Sequence, residues 1–346
     1  MVGADQVDRI EGGVRDVRMW KLVSRFAQPA IALIAASLAV TAPATAQDYP
    51  SRPITLVVPY AAGGGNDVMA RIAADKMSKT LGQQIVVDNR PGAGGNIATR
   101  AVARAAPDGY TLVIGGTGTL AVNPTLYANA GYDPRKDFAP VGLIGDSALI
   151  MLVHPSIPAR SVGELIELAR KEPGKLNYAS AGVGSGIHLG WILFEMMADV
   201  KLTHVPYRGT GPALTDLLGG HVAMYMSSLP SAIGIAREGK VRALAVTGSK
   251  RSAAFPDLPT VAEAALPGFE VVLQYGIVAP AGTPRPIIDK LNAALREALA
   301  APDTIERMAK DGTEPRPSTP EEYAAAIDGE ETKWSVVVKK SGAKAE

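Results

Sequence analysis

The sequence predicts an α/β fold of two lobes, each a mostly parallel sheet flanked by helices. Short apolar or β-branched runs alternate with helical patterns, which is typical of such sheets. Glycine-rich loops stand where a strand passes into a helix, and the whole pattern restarts near the middle of the chain. The length of 346 residues is typical of about two domains.

The first glycine loop is Gly63-Gly64-Gly65-Asn66-Asp67, between a strand at residues 54–58 and a helix that begins near Val68. Glycine has no Cβ, so a ligand can come close to the backbone N–H groups. The first amides of a helix lack partners inside the helix and carry the positive end of its dipole, which favours an anion. The alternative is a glycine turn that only links the strand to the helix.

Two more glycine loops follow in the same half of the chain. Residues 91–96 come after a strand predicted at 84–88, and residues 115–119 come after a strand predicted at 110–114. Ligands of parallel α/β sheets bind outside the carboxyl ends of the strands. The three loops are therefore expected to meet at one crevice.

The second lobe repeats the arrangement. A capping box, Ser161 to Glu164, opens a helix. A strand at 176–179, a loop at 180–186 and a helix at 187–197 follow, and residues 204–211 form another strand end and loop. These elements predict a second α/β lobe that faces the first.

The proposed organisation has four parts. They are a leader and signal peptide at 1–46, a first lobe at 47–149, a second lobe at 150–273, and at 274–346 a return to the first lobe with the C-terminal helices.

The leader carries the marks of a cleavable secretory signal. Lys21 and Arg25 precede an uncharged, apolar run that ends in Ala44-Thr45-Ala46, the small-residue pattern of a cleavage site. The apolar core is short for a membrane span, so a retained anchor is the less favoured alternative. Met19 is a candidate for the true start, because the residues before it are mixed in charge.

Several classes of protein are excluded or disfavoured. The chain has no cysteine, which excludes disulfides, thiol catalysis and Cys-ligated zinc. No basic run indicates nucleic acid. Its four histidines form no metal-ligand pair. The two G-x-G segments have Ile97 or Ile187 where a dinucleotide fingerprint needs Gly or Ala, and Ser180 lacks the first glycine of a nucleophile elbow. We therefore expect no cofactor and no metal.

Two side chains remain open to two interpretations. His188, just inside a helix after the serine-containing loop, either meets a ligand or serves as a capping or packing residue. Arg208 either pairs with a carboxylate or is a solvated loop arginine. What remains is a set of backbone donors and hydroxyls, which is the chemistry of binding.

The chain strongly resembles the substrate-binding proteins of tripartite tricarboxylate transporters, the Bug-type receptors. The resemblance covers essentially the whole chain after residue 46. The segments that carry it include residues 49–54, Pro59 to Asp67, Asn89 to Asn96, Pro107 to Leu112, residues 132–141, Gly174 to Gly182, His204 to Tyr207, Pro212 to Gly220 and Leu258 to Glu263.

This resemblance implies a two-lobed periplasmic binding protein of the flytrap, type II-like kind. Such a receptor is not an enzyme. It closes on a small organic carboxylate and delivers it to inner-membrane permease subunits, here as an expected monomer in the periplasm. The two chain crossings, Ala148 to Val153 and Gln274 to Val278, would serve as hinges.

The resemblance also assigns ligand-binding residues. Polar ligands would be Asn66, Ser180 and Ser185; amide donors would be Gly64, Gly65 and Gly184; and the third loop region would supply Thr117 and Asn123. The remaining candidates are Tyr60, Asp67, His188, Tyr207, Ser227 and Tyr275.

Some positions depart from the family pattern or are ambiguous. Asn66 replaces the usual Thr or Ser, and Met226-Ser227 replaces Phe-Asp in many members. Losing that acid removes a partner for a ligand ammonium, so we expect a carboxylate without an amino group. Tyr275, where an aromatic is usual, is expected to pack against the ligand. For Asp67 we favour a capping role over direct contact, since its charge would repel a carboxylate.

Two other functions are possible from the sequence. One is a hydrolase that uses the cleft, with Ser180 or Ser185 and His188. The other is a receptor that serves a sensor kinase instead of a permease, which the sequence of the receptor alone does not distinguish.

Overall fold

The computed structural model describes residues 49–310 and 312–345. The predicted leader and signal peptide at 1–46 lie outside the described residues. Among the described helices, none is both long and apolar enough to cross a bilayer.

Ten strands are present in the described part of the chain. They are β1 (Ile54–Val58), β2 (Ile85–Asn89), β3 (Thr111–Gly116), β4 (Phe138–Val153), β5 (Asn177–Ser180), β6 (Thr203–Pro206), β7 (Met224–Ser228), β8 (Arg242–Val246), β9 (Val272–Pro280) and β10 (Thr313–Pro315).

Eleven α-helices accompany the strands in the same residues. They are α1 (Gly65–Leu81), α2 (Asn96–Ala103), α3 (Asn123–Leu126), α4 (Val162–Lys171), α5 (Gly186–Ala198), α6 (Thr210–Leu218), α7 (Leu229–Arg237), α8 (Val261–Ala264), α9 (Arg285–Ala300), α10 (Pro302–Lys310) and α11 (Pro320–Ser341).

The third glycine loop differs from the prediction. β3 continues to Gly116, and a π-helical segment, Thr117–Val122, replaces the expected loop. The first helix also begins earlier than predicted, at Gly65, with Gly64 as its N-cap. The last glycine of the first loop therefore begins α1, and the glycine before it is the N-cap.

The fold is α/β with a mixed sheet in two lobes. β1 lies parallel to β2 and β3, and β5 lies parallel to β6, as the sequence predicts. β5 also lies parallel to β7, a strand that the sequence did not predict. Each antiparallel pairing between the described strands involves β4 or β9. β9 and β4 lie between the two parallel groups in the strand order, and they add antiparallel strands to both lobes.

The first half of β4 was not predicted from the sequence. Its pairing partner changes along its length: β9 lies beside it from Phe138 to Ala148, and β7 and β8 lie beside it from Leu149 to Val153. The strand thus leaves one lobe and enters the other between Ala148 and Leu149. This crossing falls in the segment that the sequence marks as a hinge.

Thr247 ties the crossing strands together. Its side chain is fully buried, and its hydroxyl accepts a hydrogen bond from Leu149 N–H at 2.7 Å and donates to the Val271 carbonyl at 2.6 Å. The Thr247 backbone bonds to the same two residues. Three chain segments are therefore held side by side where the lobes meet.

Helix starts follow the capping rules, with one difference from expectation. Ser161 accepts from Glu164 N–H, but the Glu164 carboxylate returns to Arg160 N–H and not to Ser161. Thr319 and Glu322 form the complete reciprocal box at the start of α11.

A row of stacked rings fills the core of the second lobe beneath the loop at 180–186. His188 stacks on His204 with centroids 4.1 Å apart, and Tyr178 stacks on both His204 and Trp191. Burial lowers the pKa of His204 to about 4. Burial, and then the neighbouring His204, lower the pKa of His188 to about 3.

We expect Thr247→Val to destabilise the fold while Thr247→Ser is largely tolerated. Valine keeps the shape but leaves a buried N–H and a buried carbonyl without partners, each costing roughly 1–3 kcal/mol. Serine keeps the hydroxyl and loses one methyl, worth about 1 kcal/mol. Urea unfolding of both variants measures the difference, and equal stabilities would contradict the assigned role of the hydroxyl.

The histidine pair should make the fold acid-sensitive. Between the ordinary histidine pKa near 6.5 and about 4, the unfolded chain binds protons that the folded chain does not. The free energy of unfolding should therefore fall as pH falls through this window, by up to about 1.4 kcal/mol per pH unit for each histidine. Urea unfolding at pH 7.0, 6.0 and 5.0 measures the slope.

A variant pair isolates this contribution. His188→Phe keeps a ring in the stack and should unfold with a shallower pH slope than the wild type, whatever its stability at pH 7. Trp191→Phe provides the control: it also keeps a ring in the stack but removes no histidine, so it should keep the wild-type slope. An unchanged slope in His188→Phe would show that His188 takes up its proton in the folded state.

Candidate functional site

Four helices begin at one small cavity between the lobes, called the inner cavity here. α1 comes from the first lobe, and α5, α6 and α7 come from the second. The residues at their N-termini that line it are Gly64, Gly65, Asn66, Ser185, Gly186, Ile187, Thr210 and Ser228. Since the first amides of each helix carry partial positive charge, the cavity is suited to an anion.

The inner cavity is small and neutral. Its volume is about 30 Å³, and ~10–15 Å³ is enough for one water molecule. It therefore has room for a group of the size of a carboxylate and not for a whole di- or tricarboxylic acid. Among the described residues, no charged side chain lines it. Helix amides and neutral side chains would have to hold the anion.

Two buried polar groups in the inner cavity have no hydrogen-bond partner among the described residues. These are Asn66 Oδ1 and the Tyr275 hydroxyl, which lies beside Ser228 without a hydrogen bond of acceptable geometry. A half-turn of the Asn66 amide would present its NH₂ group as a donor instead. Burial raises the pKa of Tyr275, so its hydroxyl stays protonated and can also donate.

The approach of Tyr275 to α1 requires glycine at position 65. A Cβ on Gly65 would collide with the Tyr275 hydroxyl and would lie 2.9 Å from Ser228 Oγ. Such separations are shorter than real contacts allow. The third glycine of the first loop thus lets a strand of the return segment reach the N-terminus of α1.

Thr117 is hydrogen-bonded to α11, the C-terminal helix, through Glu330. Its hydroxyl accepts from Gln274 N–H at 3.1 Å and donates to Glu330 at 3.5 Å, and Trp334 Nε1 donates to the same carboxylate at 2.9 Å. This chain of contacts fixes the third loop region against β9. It involves α11, which the sequence did not connect with the site.

Three hydroxyls of the second lobe complete the inner cavity. Ser185 caps α5 by accepting from His188 N–H at 3.2 Å, and Thr210 accepts from the Tyr225 hydroxyl at 3.1 Å. A hydroxyl that accepts still has its own proton to donate. The third hydroxyl is that of Ser228.

The sequence analysis did not identify Thr210 and Ser228 as residues of the site. Thr210 lay in a glycine loop after a strand, which was a usable signal, whereas Ser228 had none.

A second cavity, called the outer cavity here, adjoins the first. Its volume is about 470 Å³, and Tyr60 and Ala181 line both cavities. Glycine loops from opposite lobes form its walls, at residues 92–95 and 181–183. Tyr207, Arg208 and Lys344 also line it.

The structure brings seven of the candidate residues to the inner cavity: Tyr60, Gly64, Gly65, Asn66, Thr117, Ser185 and Tyr275. Tyr207 lies at the outer cavity, where its hydroxyl donates to Asp216 at 2.6 Å. The others, Asp67, Asn123, Ser180, Gly184, His188 and Ser227, line neither cavity.

Asp67 bonds within the protein at the start of α1, but not to the N-cap Gly64 as a capping residue would. Its carboxylate accepts from Gly63 N–H and from Arg71 Nε, both at 3.0 Å. Burial would raise its pKa, but the bonds from Arg71 and Gly63 outweigh burial and lower it. The charge of Asp67 is therefore neutralised within the loop.

Asn123 and Ser227 act within the protein. The Asn123 amide donates to the Gly94 carbonyl at 3.0 Å and to Asn96 at 2.7 Å, which holds the second glycine loop. Ser227 is fully buried in β7 and donates to the Ser228 carbonyl.

The structure does not favour a hydrolytic pair. Ser180 bonds to His204 Nε2 at 2.6 Å and not to His188, but Ser180 is fully buried and reaches neither cavity. The lowered pKa of His204 makes it a weak base. His188 packs in the ring stack, and its Nδ1 accepts from Gly184 N–H at 3.3 Å. These groups hold the loop at 180–186 in place.

Comparisons with known proteins identify the family to which the chain belongs. A family described as "Tripartite tricarboxylate transporter family receptor" matches residues 69–343. Protein BugT of Bordetella pertussis is 38% identical over 315 residues, which cover 91% of this chain and 97% of BugT.

Two solved structures with bound acids are also similar. Rpa4515 of R. palustris with adipate is 39% identical, with a TM-score of 0.83 over 85% of this chain and 99% of that one. MatC from Rhodopseudomonas palustris with bound malate is 40% identical, with a TM-score of 0.81 over 84% of this chain and 100% of that one. Together with the matched residues 69–343, this similarity shows that the chain belongs to the tripartite tricarboxylate transporter family of receptors.

Proposed function

We propose that this protein is a periplasmic receptor that binds a small organic carboxylate between its lobes and delivers it to the permease of a tripartite transporter. The observation that carries the proposal is the meeting of four helix N-termini at one cavity without a charged side chain among the described residues. Such an arrangement binds anions, and no described residue that lines the cavity could act as a base to activate its hydroxyls. We therefore propose a binding protein that is not an enzyme and, as the resemblance implies, a monomer.

A carboxylate fits the inner cavity better than a bulkier anion. The space accommodates a group with two oxygens, and the surrounding donors are neutral amides and hydroxyls. Adipate and malate, the acids in the two similar structures, both end in such groups. This similarity supports the class of ligand without naming the ligand.

The lining also disfavours a ligand that carries an ammonium group. No Asp or Glu of the described residues lines the inner or the outer cavity. A buried ammonium without a carboxylate partner would lose its solvation without compensation. We therefore propose a carboxylic acid without an amino group.

The receptor would work by closure of the lobes. Donors on α1 belong to the first lobe and donors on α5, α6 and α7 to the second, so only the closed form offers them all. A ligand shifts the equilibrium by its differential affinity for that form. The expected second hinge at residues 274–278 instead lies inside β9, where it pairs with β3 and β4 of the first lobe. We therefore propose as hinges residues 148–153 and the return crossing at residues 271–272, where Thr247 bonds to Leu149 and Val271.

Closure also depends on close backbone contact between the lobes. The Tyr127 hydroxyl of the first lobe donates to the Val183 carbonyl of the second at 2.8 Å. A Cβ on Gly118 would lie 2.7 Å from the Tyr60 hydroxyl and 3.1 Å from the Gly184 carbonyl across the cleft. A side chain at position 118 would hold the lobes apart.

A thermal-shift screen tests the proposed class of ligand. Purified protein is heated with mono-, di- and tricarboxylates, aromatic acids and amino acids, after extraction of any co-purified ligand. A ligand at a hundred times its Kd adds about 2.7 kcal/mol of stability. We expect a shift with one class of carboxylate. A larger shift with an amino acid than with every other acid would contradict the absence of an amino group.

Gly118→Ala tests closure. We expect about tenfold or greater loss of affinity for the acid found in the screen, because overpacking a closed contact costs roughly 1–3 kcal/mol. Isothermal titration calorimetry measures the affinity, and urea unfolding without ligand measures the separate cost of the contact with Tyr60, which lies within the first lobe.

Gly329→Ala is the matched control. Gly329 lies in α11 with no atom within 4 Å of an added Cβ, so affinity should stay at the wild-type value. Full affinity in Gly118→Ala would show that the lobes do not approach each other at this position when ligand binds.

A further inference from the structure

We infer that residues facing a third cavity, on the side of the hinges away from the cleft, set the affinity of the receptor for its acid without touching that acid. This inference rests on the proposed function, in which the lobes close on the ligand. It names the part of the fold that determines the balance between the open and closed forms.

The third cavity, called the hinge cavity here, has a volume of about 430 Å³. Each of the two proposed hinges contributes one residue to it, Ala148 and Val272. Its walls come from both lobes. α10 and β10 line it from the first lobe, and the loop at residues 248–253 lines it from the second.

The hinge cavity and the inner cavity lie on opposite faces of the crossing strands. On β9, the side chains of Leu273 and Tyr275 lie against the N-termini of α5 and α1, in the inner cavity. Val272 lines the hinge cavity, since successive side chains of a strand point to opposite faces. Ala148, its partner on β4, has its Cβ directed at Gly248 in the wall of the hinge cavity.

A rotation of the lobes about the crossing strands moves these two faces in opposite directions. In this structure the lobes touch at the cleft, where the Tyr127 hydroxyl donates to the Val183 carbonyl at 2.8 Å, and the hinge cavity separates them on the other face. Opening of the cleft therefore brings the walls of the hinge cavity together. A group that fills this cavity opposes opening and favours the closed form.

Each wall of the hinge cavity is attached to its own lobe. Met308 of α10 is fully buried and packs against Gly145 of β4 in the first lobe. In the second lobe, Arg251 Nε donates to the Glu263 carboxylate at 2.8 Å and holds the loop at residues 248–253. A group that keeps the two walls apart therefore acts on the position of the lobes.

The balance between the two forms scales the measured affinity. When only a fraction of the protein is closed, the apparent Kd is the intrinsic Kd divided by that fraction. Filling the hinge cavity raises the fraction, so affinity increases towards the intrinsic value with no new contact to the ligand.

Two exposed alanines on opposite walls are suited to such filling. Ala309 lies one turn from Ile305 on the face of α10 that lines the cavity, and Ala253 lies in the facing loop of the second lobe. Because the chain has no cysteine, a cysteine at either position would be the single reactive thiol.

The test fills the hinge cavity in steps. Ala309→Cys is modified with methanethiosulfonates that carry a methyl, a benzyl or a pyrenylmethyl group, and calorimetry measures affinity for the acid found in the screen. We expect affinity to rise with the size of the group, by about three- to tenfold for the largest, because the closed fraction rises. Removal of the group with dithiothreitol should reverse the gain, and Ala253→Cys should show the same order.

Ala300→Cys is the matched control. Ala300 is an exposed alanine at the end of α9 in the first lobe, and it lines none of the inner, outer and hinge cavities. The same three groups should leave affinity unchanged there. An affinity that is independent of group size at both 309 and 253, or that falls as size increases, would overturn the inference.

Small-angle X-ray scattering of ligand-free protein separates this inference from the proposed function. The pyrenylmethyl group at position 309 should lower the radius of gyration, because it favours the closed form before any acid is added. An unchanged radius removes the inferred role of the hinge cavity. Unmodified protein that binds no acid removes the proposed function instead, and the scattering result does not depend on that outcome.

Discussion

The attraction between an anion and the amides at helix N-termini is the interaction on which the rest of the site depends. Partial charges of this kind act over a short range, so the helices must begin at the cavity itself. Parallel strands in both lobes achieve this, because each of their helices starts at the same edge of the sheet. Glycine at positions 64, 65 and 118 then allows strand, helix and opposite lobe to approach without intervening side chains. The proposed anion site thus follows from topology and backbone contact, without a charged side chain among the described residues that line the inner cavity.

Much of this could be predicted from local sequence. A strand that ends in glycines before an amphipathic run specifies a helix N-terminus, and the loops before α1 and α5 were found in this way. Asp67 was expected to cap the helix, and its carboxylate instead reaches past the N-cap Gly64 to the N–H of Gly63 in the preceding loop. Ser228 could not be found by such signals. It reaches the cavity because β7 pairs with the end of β4, and that pairing joins residues about 80 positions apart.

Long-range contacts also explain why one alternative from the sequence is not favoured by the structure. Ser180 and His188 are close in sequence and suggested a reactive pair, but Ser180 bonds to His204 Nε2, and the ring of His188 stacks on that of His204. Residues whose partners are distant in sequence gave no local signal of their role. Thr247, which joins two crossing strands, and Glu330, which holds Thr117 from α11, are of this kind. The sequence near each of them contains no motif, so the role of each residue is known only from its contacts in the folded structure.

The division of the cleft into a neutral and a cationic part has a physical advantage for a receptor that must also release its ligand. Buried fixed charges would have to be desolvated at each closure, which is costly unless the ligand pairs with them well. Helix amides need no such compensation, because their partial charges are part of the folded backbone. In the proposed receptor, the exposed Arg208 and Lys344 of the outer cavity would keep their hydration and attract anions over about a Debye length, without the desolvation that buried charges require. The inner cavity would then determine that a carboxylate binds, and the outer cavity could vary without loss of that binding.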